Sequence, residues 1–226
     1  MLIADLHVHT WYSRDSILKP STLLKIAKKR GLNVIAITDH NTIKGASAVL
    51  EEISKNYLNN LSVIPGVEMS ISGYDILCLF ITTQPKRIED YIEFLEYVKC
   101  LGAVTILAHP YRKRKSIPKK LAEKVDLIEA LNARTSSKAN TKARQLATIL
   151  NKNVTAGSDA HVGFEIGRAR TIFLDQASDL EELRKVIVQS KRILVGKEIA
   201  KAIHLISTII EMSKKLRLVD CFLSKC

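Results

Sequence analysis

Leu2-Ile3-Ala4-Asp5-Leu6-His7-Val8-His9-Thr10 opens the chain as a short apolar run that closes on two histidines. Leu2, Ile3 and Leu6 read as a buried strand. The i, i+2 spacing of His7 and His9 puts both imidazoles on one face of that strand. Two imidazoles on one face at a strand end can grip one divalent ion. Asp15 comes after Trp11-Tyr12-Ser13-Arg14 and can add an oxygen. A lone His-x-His is more often a strand with two surface histidines, so the reading depends on the rest of the chain.

The same arrangement recurs along the chain. Residues 20–30 carry Leu23, Leu24, Ile26 and Ala27 at helical spacing, started by Lys19-Pro20 or Ser21 and stopped by Gly31. Residues 32–38 form a β-rich apolar run that ends in Asp39-His40-Asn41. A helix over 46–58 leads to a strand over 61–67 ending in Glu68, and Ser72-Gly73 suggests a hairpin into the apolar run 74–82. A helix over 88–101, closed by Gly102, precedes a strand over 103–108 that ends in His109-Pro110. Residues 125–131 read as a strand ending near Asn132, and 138–150 as a helix. Residues 154–157 run into Ser158-Asp159-Ala160-His161, and strands at 170–174 and 193–195 flank a helix over 179–189.

Strand-then-helix units argue for a parallel sheet. The polar residues fall after the strands, and in a (β/α) barrel those ends converge on one face. Five of the six histidines, His7, His9, His40, His109 and His161, come directly after apolar runs, whereas His204 sits inside a helix pattern and reads as structural. Asp15, Asp39, Glu68 and Asp159 accompany the five. Mixed imidazole and carboxylate donors suit zinc, manganese or iron rather than magnesium or calcium. So many donors exceed what one ion can use, which implies two or three divalent ions with a bridging carboxylate.

Composition sets wider bounds. The 226 residues are 46% hydrophobic and 26% charged, which suits one barrel-sized α/β domain or two small ones. Lys plus Arg number 35 against 23 Asp plus Glu, and the net charge of +12 favours an anionic partner such as a nucleotide, phosphate or nucleic acid. Lysine enrichment of the heat-adapted kind gives the same surface. Cys78, Cys100, Cys221 and Cys226 form no C-x-x-C pair, so neither a disulfide framework nor a zinc knuckle is expected. Asp5 and His7 interrupt any secretory apolar region, and no stretch of membrane-spanning length exists. A cytoplasmic location, without a membrane, is the expectation. In residues 198–226, Ile199, Ala202, Ile203, Ile206, Ile209 and Ile210 recur at helical spacing. This amphipathic helix is expected to pack on the barrel of residues 1–197 or to form a homodimer contact, with a membrane-surface role a distant third.

Asp5-Leu6-His7-Val8-His9-Thr10 with Ser13 and Asp15, Thr38-Asp39-His40-Asn41, Gly66-Val67-Glu68, Ala108-His109-Pro110 and Gly157-Ser158-Asp159-Ala160-His161 together resemble the PHP (polymerase and histidinol phosphatase) family, in every motif and in order. The resemblance implies a distorted (β/α)7 TIM-like barrel with a multinuclear metal site at the C-terminal ends of its strands, and hydrolysis of phosphoesters. The chain looks most like short stand-alone members acting on small phosphorylated molecules, nucleotides and short oligonucleotides included. Carried over, His7, His9, Glu68 and Asp159 would bind one metal, Glu68 would bridge to a second held by His109, and Asp15, His40 and His161 would bind a third. Some members offer another histidine to the second metal, where this chain has Glu129-Ala130-Leu131-Asn132; that metal is then under-coordinated, water-completed or labile. Asp39 would orient a ligand histidine, or else N-cap a helix.

The implied mechanism is in-line attack on phosphorus by a metal-bound water, with His161 or Asp15 assisting the leaving oxygen. Substrate phosphates need cations, and Arg14, Arg112, Arg134 and Arg168 are the candidates, Arg112 and Arg168 foremost. Residues 112–120 hold six basic residues in nine positions and are expected to rim the active face. A low aromatic content of 5% argues against a stacking platform for single strands. The leading expectation is a phosphoesterase acting on a small molecule such as a 3′,5′-nucleoside bisphosphate. A 5′-3′ exonuclease on short RNA or DNA shares the chemistry. A non-catalytic barrel scaffold in a nucleoprotein complex and an amide hydrolase are the rivals of another class.

Overall fold

The computed structural model describes residues 1–56, 61–198, 209–210 and 212–214. Among them are nine strands: β1 (Leu2–Val8), β2 (Val34–Ile37), β3 (Ser62–Ile71), β4 (Tyr74–Leu79), β5 (Val104–Leu107), β6 (Leu127–Asn132), β7 (Val154–Gly157), β8 (Ala169–Phe173) and β9 (Arg192–Gly196). Six α-helices accompany them: α1 (Pro20–Lys29), α2 (Lys44–Asn56), α3 (Tyr91–Cys100), α4 (Lys119–Lys124), α5 (Ser137–Ile149) and α6 (Leu180–Gln189). Helix starts obey local chemistry. Pro20 opens α1, Asp90 accepts from the amides of Ile92 and Glu93, and Asp179 accepts from that of Glu182.

The sheet runs β7-β6-β5-β4-β3-β2-β1-β8-β9 and curls into a nearly closed barrel. Its two ends meet beyond β7, where Val8 bridges Ala160, the His9 amide donates to the Ala160 carbonyl at 3.0 Å, and the Asp159 amide donates to the His7 carbonyl at 2.8 Å. At the other end of this seam β8 runs antiparallel to β1, pairing Leu2 with Phe173 and Ala4 with Thr171. The Thr171 hydroxyl bonds the Ala156 amide and carbonyl, so β8 wedges between β1 and β7.

The fold is thus the expected distorted barrel, with two departures from seven parallel strands. β4 is antiparallel to both β3 and β5, because Ser72 (φ 47°) and Gly73 (φ 77°) make a two-residue turn that can only reverse the chain. β8 and β9, connected through α6, add an antiparallel pair to the side of β1. β3 also runs past its expected end, leaving Glu68 within the strand. Side chains alternate faces as the period of two demands. Val34 and Ala36 join Leu6, Ile64 and Ile106 inside the barrel, while Ile35 and Ile37 pack outward on Leu23, Leu24 and Val49 of α1 and α2. A second outer layer packs α3 and α5 on β4 and β6 through Phe94, Val98 and Ala147. Helix α4, which starts at the end of the basic run, was not expected; its buried Leu121 and Ala122 are hidden among lysines.

Most of residues 198–226, with His204, Cys221 and Cys226, lies outside the described residues. Residues 212–214 are helical, and Lys214 Nζ donates to the carbonyls of Trp11 (2.8 Å), Ser13 (2.7 Å) and Ser16 (2.5 Å) while resting 4.4 Å from the Trp11 ring centre. Among the described residues no helix is long and apolar enough to cross a membrane. Cys78 is buried and Cys100 exposed, both as free thiols.

Candidate metal centre

The strand ends deliver their side chains to one point on the barrel axis. His7 Nε2 and His9 Nε2, from β1 and its extension, face each other at 3.1 Å. Glu68 Oε2 from β3 lies 3.3 Å from each of them, and Asp159 Oδ1 lies 3.2 Å from His9 Nε2 and 3.7 Å from His7 Nε2. The other oxygen of Glu68 reaches His109 Nε2 at 3.0 Å, and Glu68 Oε2 also meets His40 Nδ1 at 3.0 Å. Asp15 Oδ2 sits between His161 Nε2 (3.0 Å) and His40 Nε2 (3.4 Å). Asn41, His109 and Asp159 take positive φ, 54°, 28° and 55°, so the backbone is bent out of its preferred region where donors are aimed.

The charges suit cations. Burial alone would make His7 release its proton, but Asp159, Glu129 and Glu68 outweigh it and hold the imidazole well above its ordinary range. His9 goes the other way: burial, with His161 and His40 alongside, pushes it down to about 3. Burial would raise Glu68 and Asp159, yet His7 and His40 on the one and Arg112 and His7 on the other hold both well below the usual carboxylate range. Asp15 is held down likewise against its burial by His161 and His40, and its Oδ1 is buried without a hydrogen-bond partner. Opposed imidazole nitrogens ringed by anionic oxygens, with an orphaned carboxylate oxygen beside them, fit divalent ions. His9, His40 and His161 converge as one donor group, and His7, His9 and Asp159 as another.

A supporting layer fixes these donors. Glu129 Oε1 meets His7 Nδ1 at 3.1 Å, and Glu129 Oε2 accepts from the His109 amide at 2.8 Å and from Asn132 Nδ2 at 3.0 Å. Glu129 therefore braces both His7 and His109. Asp39 neither caps α2 nor touches a histidine. Its carboxylate accepts from the Thr10 amide, the Thr10 hydroxyl and the Ser13 hydroxyl at 2.6–2.7 Å, and Ser13 Oγ in turn meets His9 Nδ1 and the His40 amide. Gly45 is required there, because a Cβ would run into Asp39 and Thr10. Glu165 accepts from the amides of His161 and Val162, and Asp5 accepts from the amides of Ser158 and Gly167 and the Ser158 hydroxyl. Of these, the sequence signals Glu129 and Asp5, as acids inside apolar strand runs.

A cleft of roughly 680 Å³ opens over the centre. Arg14, Arg112 and Arg134 line it, as does Lys113 of the basic run, together with Arg87 and Tyr12, which sequence reasoning did not single out. Arg112 penetrates furthest: its Nε donates to Thr135 Oγ1 at 3.0 Å, and its Nη2 donates to Asn132 Oδ1 at 2.7 Å and pairs with Asp159. Arg134 is largely buried and pairs with Glu165. Arg168 is not at the site. It is exposed and folds back onto the Phe164 carbonyl at 3.2 Å, because the chain leaves the centre through the Gly163–Glu165 turn before β8 begins.

A model of the PHP domain matches residues 5–200. The chain belongs to the PHP family. Among relatives of this PHP protein, an uncharacterised protein of Methanocaldococcus jannaschii is 35% identical over 146 residues, covering 58% of this chain and 81% of that one. A candidate phosphatase of Acetivibrio thermocellus is 25% identical over 205 residues, covering 76% and 84%. The 5′-3′ exoribonuclease Rnm of Salmonella typhimurium is 46% identical over 69 residues, which cover 30% of this chain and 23% of the exoribonuclease. In fold, PsfC from Pseudomonas syringae superposes with a TM-score of 0.71 at 19% identity, covering 94% of this chain and 98% of its own. A candidate metal-dependent phosphoesterase from Bifidobacterium adolescentis does so with 0.59 at 18%, covering 81% and 95%. Family and centre together make this PHP protein a metal-dependent phosphoesterase.

Proposed function

We propose that the chain hydrolyses a phosphate ester of a small molecule, a nucleotide such as a 3′,5′-nucleoside bisphosphate, using manganese, zinc or iron. The observation that carries this reading is the joining of the donor cluster to a cleft walled by Arg14, Arg87, Arg112 and Lys113. A volume of roughly 680 Å³ is that of a small-molecule site. Several separated cations suit a substrate with more than one phosphate. Half-exposed Tyr12 at the rim offers a ring to a base.

His7, His9, Glu68 and Asp159 would hold one ion, and Asp15, His40 and His161 another. Bound there, divalent ions supply Lewis acidity and a water nucleophile at neutral pH. The chain itself binds the phosphoryl group through Arg112, which is pinned and so loses little freedom on engagement. Glu129 and Ser13 keep His7 and His9 turned toward the centre. Proton delivery to the leaving oxygen is assigned to Asp15 and His161, which line the cleft. The partial match to exoribonuclease Rnm and the exposed Lys113, Arg114 and Lys115 support a second reading, trimming of short RNA from its 5′ end.

The test is phosphate release by metal-reconstituted protein from a 3′,5′-nucleoside bisphosphate, histidinol phosphate, a cyclic dinucleotide and a short 5′-phosphorylated RNA. Release from the bisphosphate, abolished in His7→Ala, is expected. Arg112→Ala should lower kcat/KM by about 10- to 100-fold, the worth of a charged hydrogen bond to phosphate. Products from the RNA alone would move the assignment to the nuclease. Silence on every substrate from metal-loaded protein would overturn both.

A further inference from the structure

We propose that Asp75, at the start of β4, is a metal ligand, the third donor of a site begun by Glu68 and His109. This rests on the metal-dependent reading above. Most donors of the centre stand at or beyond the C-terminal ends of strands, so in the sequence they follow an apolar run. β4 is reversed. It runs antiparallel to β3 and β5, so its mouth end is its beginning, and a donor there precedes the apolar run. Asp75 pairs with Ser70 as Leu77 pairs with Glu68, and directly opposed residues share a face. Leu77 packs inside the barrel. Asp75 therefore points inward as well, nearer the mouth, and it lines the cleft together with Ser70. The Ala108 amide donates to the Asp75 carbonyl at 3.0 Å and fixes this strand start beside His109.

Glu68, Asp75 and His109 converge as one donor group. Glu68 Oε1 lies 3.0 Å from His109 Nε2, while its Oε2 faces His7 and His9. With Asp75 they make up the three protein ligands that an open metal site takes. The state of the Asp75 carboxylate suits this. Its Oδ1 accepts from Ser70 Oγ at 2.5 Å, which steadies the group. Its Oδ2 stands 3.9 Å from His109 Nδ1 and accepts no hydrogen bond among the described residues, so its lone pairs are free. The side chain is 33% exposed and has room to turn toward an ion. The rival donors on β6 are engaged. Glu129 also converges with His7 and His109, but one of its oxygens faces His7 Nδ1 and the other accepts from the His109 amide and Asn132 Nδ2. Asn132 spends its own side-chain oxygen on Arg112, the Arg134 amide and the Thr135 hydroxyl. Where β6 supplies no histidine, β4 supplies a carboxylate.

The test is anomalous diffraction from crystals of the full chain loaded with zinc, together with ion counts by plasma mass spectrometry after gel filtration. An anomalous peak bonded to Glu68, His109 and an Asp75 oxygen, at the roughly 2.0–2.2 Å of a zinc–carboxylate bond, is expected. Asp75→Ala should lose one ion per chain relative to the parent. An ion on Glu68 and His109 that leaves Asp75 outside bonding distance, or takes Glu129 in its stead, would overturn the inference while leaving the metal-dependent reading intact. That result needs no variant, so it stands even where Asp75→Ala fails to fold. A folded Asp75→Ala with the parent's ion count would also overturn it. No bound ion in the parent under any loading would overturn the underlying reading as well.

Discussion

Glu129→Gln is the sharpest probe of the supporting layer, because it changes one atom in a carboxylate whose three partners are known. The His109 amide and Asn132 Nδ2 are obligate donors to Oε2, and His7 Nδ1 faces Oε1. A carboxylate accepts on both oxygens, so in the ion-loaded chain His7 would keep its proton on Nδ1 and give the Nε2 lone pair to the ion. A glutamine has one oxygen. Turned toward His109, it presents its NH2 to His7, which must then move its proton to Nε2 and surrender the lone pair. Turned toward His7, it sets an N–H against two other donors in a buried site, a cost of roughly 1–3 kcal/mol. The first outcome is expected, and support of a ligand histidine is worth about 10- to 100-fold in metal affinity. That is about 1.4–2.7 kcal/mol at 1.36 kcal/mol per decade. Competition with a chelator of known affinity measures it, and the ring nitrogen shifts of His7 by NMR report the tautomer. Equal affinity in Glu129→Gln and the parent, with His7 still protonated at Nδ1, would refute the reasoning.

Lys214→Met removes an ammonium that ties three carbonyls of the loop bearing Asp15. It should cost about 1–3 kcal/mol, or roughly 3–10 °C in Tm for a chain of this size, and speed tryptic cleavage at Arg14; unchanged Tm and cleavage would deny the contact a role. Asp5, buried among its donors, is raised to about 6 from 3.8, so the folded chain holds a proton that the unfolded one releases. Its contribution is therefore fully present below about pH 4 and lost as pH rises through 6, by up to roughly 3 kcal/mol. Urea unfolding of metal-free parent and Asp5→Asn at pH 4 and pH 7 should show the parent gaining on the variant at the lower pH; a pH-independent difference would rule this out.

The donors were legible because strand ends and the two-residue period are local. His7 and His9 share a face by spacing alone, and Ser72-Gly73 announces a reversal through its own turn chemistry. What the sequence hid is set by contacts between distant residues. Glu129 looks like a missing histidine until His7, more than a hundred positions away, is seen resting on it. Arg112 and Arg168 have equal claims from position after a strand, yet one turns inward to Asn132 and Asp159 and the other folds back on Phe164. The wedge of β8 was equally hidden, since a short apolar run carries no mark of the direction in which it will pair.

The seam of the barrel joins its first strand to the segment beyond β7, and the centre sits on it. His7 and His9 lie on one lip and Asp159 and His161 on the other, with nearly the whole barrel looped between them. Closing so long a loop is among the slower events of folding. Until it happens the C-terminal part of β1 is unpaired on that side, and no ion can find its full donor set. An ion held by donors from both lips would act as a cross-link, much as a disulfide does. The donors would then also govern how fast the barrel opens, and a chelator would be an unfolding reagent as much as an inhibitor.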